Sequence, residues 1–250
     1  MALLERLQTI MPLVRWRRLL VATACFWIPV IIFSEIATRV HERDDIRFDR
    51  SFLTWLNGFS SPGFDTFALL ATQLGDSLIT AVFIIGLAGV LWVKQRQRQA
   101  VFVLAAYGGA GFINFLLKHG FERDRPSLWT TLVTESSYSF PSGHAMLSSA
   151  IAFIIILLLW NTRYRWWAVV SGGLYAFIVG ATRLYLGVHF PSDVVAGWCV
   201  SAAWALITYT IIFKGNFLYR RRNTGNVTKA GRRQAPHAAD GVRGQDESAS

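Results

Sequence analysis

Six long apolar runs, at 19–36, 78–93, 100–117, 145–160, 167–180 and 194–213, constrain this chain more than any other feature of it. Crossing the hydrocarbon core of a bilayer takes about 20 predominantly apolar residues. The runs reach or approach that length once their flanking Trp, Tyr and Arg residues, which settle at the membrane interface, are counted. In lipid every backbone N–H and C=O must find a partner within the protein, and a helix satisfies its own. The chain therefore reads as an all-α integral membrane protein, a six-helix transmembrane bundle. A soluble helical core is the alternative. With 53% of residues hydrophobic and 16% charged, six such runs leave too little polar surface to cover one.

The charges that remain are placed with a bias. Basic groups occur at Arg6, Arg15, Arg17 and Arg18, at Lys94, Arg96 and Arg98, at Arg163 and Arg165, and at Lys214, Arg220, Arg221 and Arg222. Six crossings put all four groups on one side, and the excess of Lys and Arg makes that side cytoplasmic. Topology thus accounts for the net charge of +10, and no nucleic-acid partner is needed to explain it. The opposite face receives 39–50, where His41, Glu42, Arg43, Asp44 and Asp45 mix signs. Three regions result: a cytoplasmic N-terminal segment at 1–18, a transmembrane domain at 19–213, and a basic tail of disordered composition at 214–250. The first run is long for a signal core and lacks a small-residue cleavage site, so it is read as a retained helix. Segments 48–56 and 64–74 have apolar residues at helical spacing but are too polar for simple spans, and fit short interfacial or re-entrant helices. Cys25 and Cys199 both fall in apolar runs without metal or redox spacing, so no disulfide is expected. The Asn226 sequon falls on the cytoplasmic side and is read as chance. Nothing marks a protein partner.

Three polar clusters interrupt the apolar pattern. The first runs from Lys118 to Arg125 and Pro126. The second is Pro141, Ser142, Gly143 and His144. The third holds Thr182 and Arg183, then His189 and Asp193. Between His144 and Arg183 the chain crosses once and returns, and Lys118 ends a run that starts from a basic turn. All three clusters therefore reach one face, the side away from the basic loops. Lys118, Arg125 and Arg183 are cations with no matching carboxylate in their own motifs, and a guanidinium fork suits phosphate. Ser142 and Gly143 open a helix whose N-terminal amides attract anions. Asp193, four residues beyond His189, can hydrogen-bond one imidazole nitrogen and leave the other to attack. His144 can protonate the leaving oxygen. The expected site is thus a phosphate-handling centre: catalytic His189, Asp193 and His144; phosphate-binding Lys118, Arg125, Ser142, Gly143 and Arg183; no metal and no cofactor.

These clusters resemble the signature of the type 2 phosphatidic acid phosphatase superfamily: Lys, six residues, Arg-Pro; Pro-Ser-Gly-His; and Ser-Arg, five residues, His, three residues, Asp. Only Thr182 departs from it, replacing Ser while keeping the hydroxyl. The resemblance implies metal-independent hydrolysis of a lipid phosphate or pyrophosphate through a phosphohistidine, with His189 as nucleophile, Asp193 its partner and His144 the acid. It also implies a substrate held by the bilayer, such as undecaprenyl pyrophosphate, phosphatidylglycerophosphate or phosphatidic acid, and an extracytoplasmic active site in a plasma (inner) membrane. Two alternatives stay open: transfer of the phosphate to a lipid acceptor, and lipid binding or transport without catalysis. Lower-ranked residues are Glu35, read as interfacial; Asn114, as a helix-bridging amide; Asp65 and Asp76, as helix caps; His119, which lacks metal partners; and Arg123, an extra cation suited to a second phosphate or a headgroup.

Overall fold

A computed structural model describes the backbone of residues 16–43 and 46–219, and the side chains of 23–213 within that range. Most of the expected N-terminal segment, the tail beyond Tyr219 and the Asn226 sequon lie outside the described residues. Eight helices are described: α1 (Trp16–His41), α2 (Arg47–Asn57), α3 (Pro62–Gln73), α4 (Ser77–Val93), α5 (Gln97–Phe121), α6 (Gly143–Leu159), α7 (Arg165–Tyr185) and α8 (Pro191–Tyr219). The site and all the packing below belong to one compact unit that ends at Ile212; from the second unit the described residues include only the end of α8.

Each apolar run of the sequence falls within one helix, save that Trp160 lies just past the end of α6, but not every helix is long enough to span by itself. Four stretches are long and apolar enough to cross a membrane: Thr23–His41, Gln97–Phe121, Arg165–Tyr185 and Pro191–Phe213. Helices α3 and α4 pass the same test only as a pair, bent by 42° at the break between them. Helix α6 is apolar, but its 17 residues make about 26 Å, short of the ~30 Å core. The protein is an integral membrane protein with four such helices, or five with the bent pair; the expected count of six is reached only if short α6 also crosses.

Local chemistry explains where the helices start. Pro62 opens α3, where the Ser61 side chain accepts from Phe64 N. Asp76 caps α4, its carboxylate accepting from the amides of Leu78 (2.8 Å) and Ile79 (3.2 Å), and so makes the α3–α4 break a clean restart. Asp65 is not a cap as expected; its carboxylate accepts from the Tyr185 hydroxyl at 2.6 Å. Ser142 caps α6. Glu35 pairs with Arg39 one turn on along α1.

Helix α6 forms the centre, with Ala145 to Ala152 and Ile154 buried. Small residues let neighbours approach. A Cβ on Gly109 would lie 2.3 Å from the Trp204 ring, and one on Gly180 2.6 Å from Trp198. Trp204 also donates to Ala105 O, joining α8 to α5. Gly187, after α7, has φ +70, and a Cβ there would meet the Trp129 ring at 2.6 Å. Glycine alone satisfies both requirements, and it turns the chain toward His189. Outside, Ile31, Ile85, Val93, Trp167, Phe177 and Ile211 are more than half exposed. So large an apolar exterior suits lipid, not water.

Candidate active site

The site gathers at the ends of α5, α6 and α7, the start of α8, and the 122–142 loop. The α7–α8 turn carries His189, which is 1% exposed. Asp193, in the first turn of α8, is fully buried. Asp193 Oδ2 lies 3.5 Å from His189 Nδ1. The same oxygen accepts from Phe190 N at 2.8 Å and from the Ser139 hydroxyl at 2.5 Å. On the other side of the ring, Arg125 Nη1 faces Nε2 at 3.2 Å and donates to Val188 O at 2.8 Å. A guanidinium only donates and a carboxylate only accepts. These partners therefore assign the proton to Nδ1 and the lone pair to Nε2. Burial, only partly offset by the bond to Asp193, pushes the His189 pKa down to about 3. The imidazole is thus neutral at physiological pH, the form in which Nε2 is a nucleophile.

Arg125 faces that nitrogen, and two more cations are tied to the same network. Arg183, at the end of α7, is 2% exposed; its Nη1 donates to Thr72 Oγ1 of α3 at 2.9 Å. Its Nε is buried without a hydrogen-bond partner among the described residues. A buried donor left unpaired is costly, so an incoming acceptor gains there. Arg125 Nε donates to Ser137 O at 2.7 Å, and Lys118 Nζ donates to Ser137 Oγ at 2.9 Å and Tyr138 O at 2.5 Å. The three cations so share one loop. Burial lowers the Arg125 pKa. Ser142 N bonds to Asp193 O at 3.1 Å, tying the start of α6 to that of α8. A Cβ on Gly143 would meet Asn114 Oδ1 at 3.3 Å. Asn114 Nδ2 donates to Pro141 O at 3.2 Å, so Asn114 holds the Pro-Ser-Gly-His turn. His144, half-buried, occupies the first turn of α6.

Four contributors escaped the sequence reading. Glu135 bridges the cations, ion-paired with Arg183 and, at 3.7 Å, with Arg125. Burial works against its charge, but Arg183 and Arg125, with a further pull from His144, hold its carboxyl below the usual range. Ser139, Thr72 and Asp49 are the others. Arg123, read as suited to a second phosphate or a headgroup, is engaged inward by Asp193 and Asp49. His119 bonds within α5 to Phe115 O. Among the described residues, no group of three or more His, Cys, Asp and Glu is placed to hold a metal ion.

Glu135 holds the arginines that a phosphate would need. A phosphate bound at these arginines would displace an anion, and the neutral isostere would compete less. Glu135→Gln should therefore tighten inhibition by inorganic phosphate about tenfold, or about 1.4 kcal/mol. Weaker inhibition would show that the carboxylate organises the arginines rather than competing for them.

Known proteins resemble this chain in sequence and in fold. Residues 99–217 match the family model described as the PAP2 superfamily. Phosphatidylglycerophosphatase B of Bacillus subtilis (strain 168) is 35% identical over 134 residues, 51% of this chain and 64% of that protein, so the match spans just under two thirds of its length. The Escherichia coli (strain K12) protein YbjG, whose name assigns it provisionally to the undecaprenyl-diphosphatases, is 30% identical over 159 residues, 61% of this chain and 77% of the relative. The crystal structure of a transmembrane PAP2-type phosphatidylglycerolphosphate phosphatase from Bacillus subtilis superposes with a TM-score of 0.70 at 25% identity, covering 76% of this chain and 97% of that one. With its three polar clusters drawn together around His189 and its fold shared with that enzyme, the chain belongs to the PAP2 superfamily.

Proposed function

We propose that this protein hydrolyses a lipid phosphate or lipid pyrophosphate through a phosphohistidine on His189. The observation that carries this reading is the orientation of the His189 ring, with Nδ1 toward Asp193 and Nε2 toward Arg125, which Glu135 links to buried Arg183. The phosphate sits on Arg125, Arg183 and Lys118, with the amides of Ser142 and Gly143 at the start of α6. Nε2 attacks phosphorus and the bond to the leaving oxygen breaks. His144 gives that oxygen its proton. The ring, now positive, is stabilised by Asp193. Water then attacks phosphorus, His144 takes a proton from it, the P–N bond breaks, and inorganic phosphate leaves. Neither metal nor cofactor enters these steps.

The relatives' names suggest phosphatidylglycerophosphate and undecaprenyl pyrophosphate as substrates, and phosphatidic acid shares their chemistry. Purified protein in detergent should release phosphate from at least one of the three in excess chelator. Absence of release from all three, with or without divalent cations, rejects the hydrolase. Labelled lipid product in place of free phosphate favours transfer. We further propose six crossings, both termini in the cytoplasm and the active site on the extracytoplasmic side. Ser137 is exposed, so Ser137→Cys in a cysteine-free background should react with an impermeant maleimide added outside. Reaction only after permeabilisation reverses the orientation.

A further inference from the structure

A buried charge array lies behind the reactive histidine, outside the residues assigned to phosphate. Arg123 Nη1 donates to Asp193 Oδ1 at 2.5 Å and to Ser192 Oγ at 2.7 Å. Its Nη2 donates to Asp49 Oδ2 at 2.9 Å. Asp49, on α2 and 2% exposed, also accepts from Ser192 N at 3.0 Å and from the Ser192 hydroxyl. The Phe190 ring covers the guanidinium, 4.3 Å from its carbon to the ring centroid. Every oxygen of the two carboxylates is therefore bonded, and one guanidinium joins them.

Two features separate this from an ordinary structural ion pair. First, Arg123 holds Asp193 by Oδ1, the oxygen that does not face His189. It thereby fixes the carboxylate plane and keeps Oδ2 toward Nδ1. A cation on Oδ1 also opposes transfer of the Nδ1 proton to Asp193, so the carboxylate stabilises the charged ring rather than neutralising it. Second, two carboxylates against one guanidinium leave one net negative charge. That charge matches the single positive charge the His189 ring gains when Nε2 is phosphorylated. Asp49 supplies the surplus, although α2 lies far from the three motifs in sequence.

We propose that Arg123 and Asp49 are positioning residues for the reaction, which set the orientation and charge of Asp193 and so stabilise the phosphohistidine. The proposal rests on the hydrolase reading above. A lysine cannot reproduce the fork that reaches Asp193, Ser192 and Asp49 together, and an Asn at position 49 keeps the shape while removing the surplus charge. Arg123→Lys and Asp49→Asn should each lower kcat about 10- to 100-fold, the scale on which outer partners of a functional imidazole act. KM and inhibition by inorganic phosphate should stay within twofold of wild type, because neither residue reaches the phosphate. Inhibition by orthovanadate, which mimics the five-coordinate transition state on Nε2, should weaken in step with kcat. Unchanged kcat in both variants refutes the proposal. So does a raised KM at constant kcat, which would return Arg123 to headgroup binding. Parallel weakening of phosphate and vanadate, or loss of the folded protein in both variants, assigns the array a purely structural role. Wild-type protein in the same assay separates the two ideas: no phosphate release from it sinks the hydrolase, whereas unaltered variants sink only the positioning role.

Discussion

His189→Ala should reduce phosphate release by about 10⁴-fold or more, the scale seen when a nucleophile that acts as part of a unit is removed, while the protein still inserts in the membrane and purifies as a folded species. Alanine removes Nε2, the nitrogen that faces Arg125. The folded state should tolerate the change because His189 sits in the α7–α8 turn, not in a helix interior, and Asp193 keeps its bonds to Phe190 N, Ser139 and Arg123. Arg125 likewise keeps its bonds to the Val188 and Ser137 carbonyls. Inorganic phosphate should still bind, since the cations are untouched. Acid-labile labelling of the protein by radioactive substrate, quenched during turnover, should be present in wild type and absent from the variant. Full activity in His189→Ala refutes the nucleophile assignment, and labelling that persists in it moves the phosphoenzyme to another residue.

How far the sequence anticipates this site depends on the kind of contact. Lys118, Arg125, His144, Arg183, His189 and Asp193 stand out because polar residues are rare beside apolar runs, and because counting crossings places them at one face. Asp193 one turn from His189 is readable from spacing alone. Glu135, Ser139, Thr72 and Asp49 are not. Ser139 and Glu135 lie in a loop with no periodicity, and only tertiary closure brings them to His189 and Arg183. Thr72 meets Arg183 across 111 residues, and Asp49 meets Ser192 across 143. The missing carboxylate had a cue in charge balance: buried Arg183 needs an anion, and Glu135 is an acid of the polar loop between the first two motifs. Arg123 was misread for a related reason. Its position beside the first motif suggested a ligand, but two buried aspartates, one of them the His189 partner, take both of its terminal nitrogens. Span counting was limited by depth. Helix α6 begins at the Pro-Ser-Gly-His turn and is short, so hydropathy finds it while length criteria do not.

His144→Ala should divide substrates by their leaving groups. The general acid contributes about 10²- to 10⁴-fold when the departing oxygen is strongly basic, and little when it leaves readily as an anion. His144 stands in the first turn of α6, and a phosphate dianion arriving beside it favours the protonated ring. Phosphatidic acid loses its diacylglycerol as an alkoxide, which needs that proton. Undecaprenyl pyrophosphate loses undecaprenyl phosphate, a monoester and a far weaker base. A nitrophenyl phosphate needs the proton least, because its phenolate is stable. Phosphoenzyme formation from phosphatidic acid by His144→Ala should fall near the upper end of that range, formation from the pyrophosphate less, and formation from the nitrophenyl ester by about tenfold or less. Hydrolysis of the phosphoenzyme also uses His144, as base. The nitrophenyl ester should therefore give a burst of nitrophenolate followed by slow release of phosphate, a pattern absent from wild type. Equal losses of phosphoenzyme formation on all three substrates would mean that His144 only helps to hold the phosphate. The leaving group, not the shared phosphate, decides how much of the rate passes through this one imidazole.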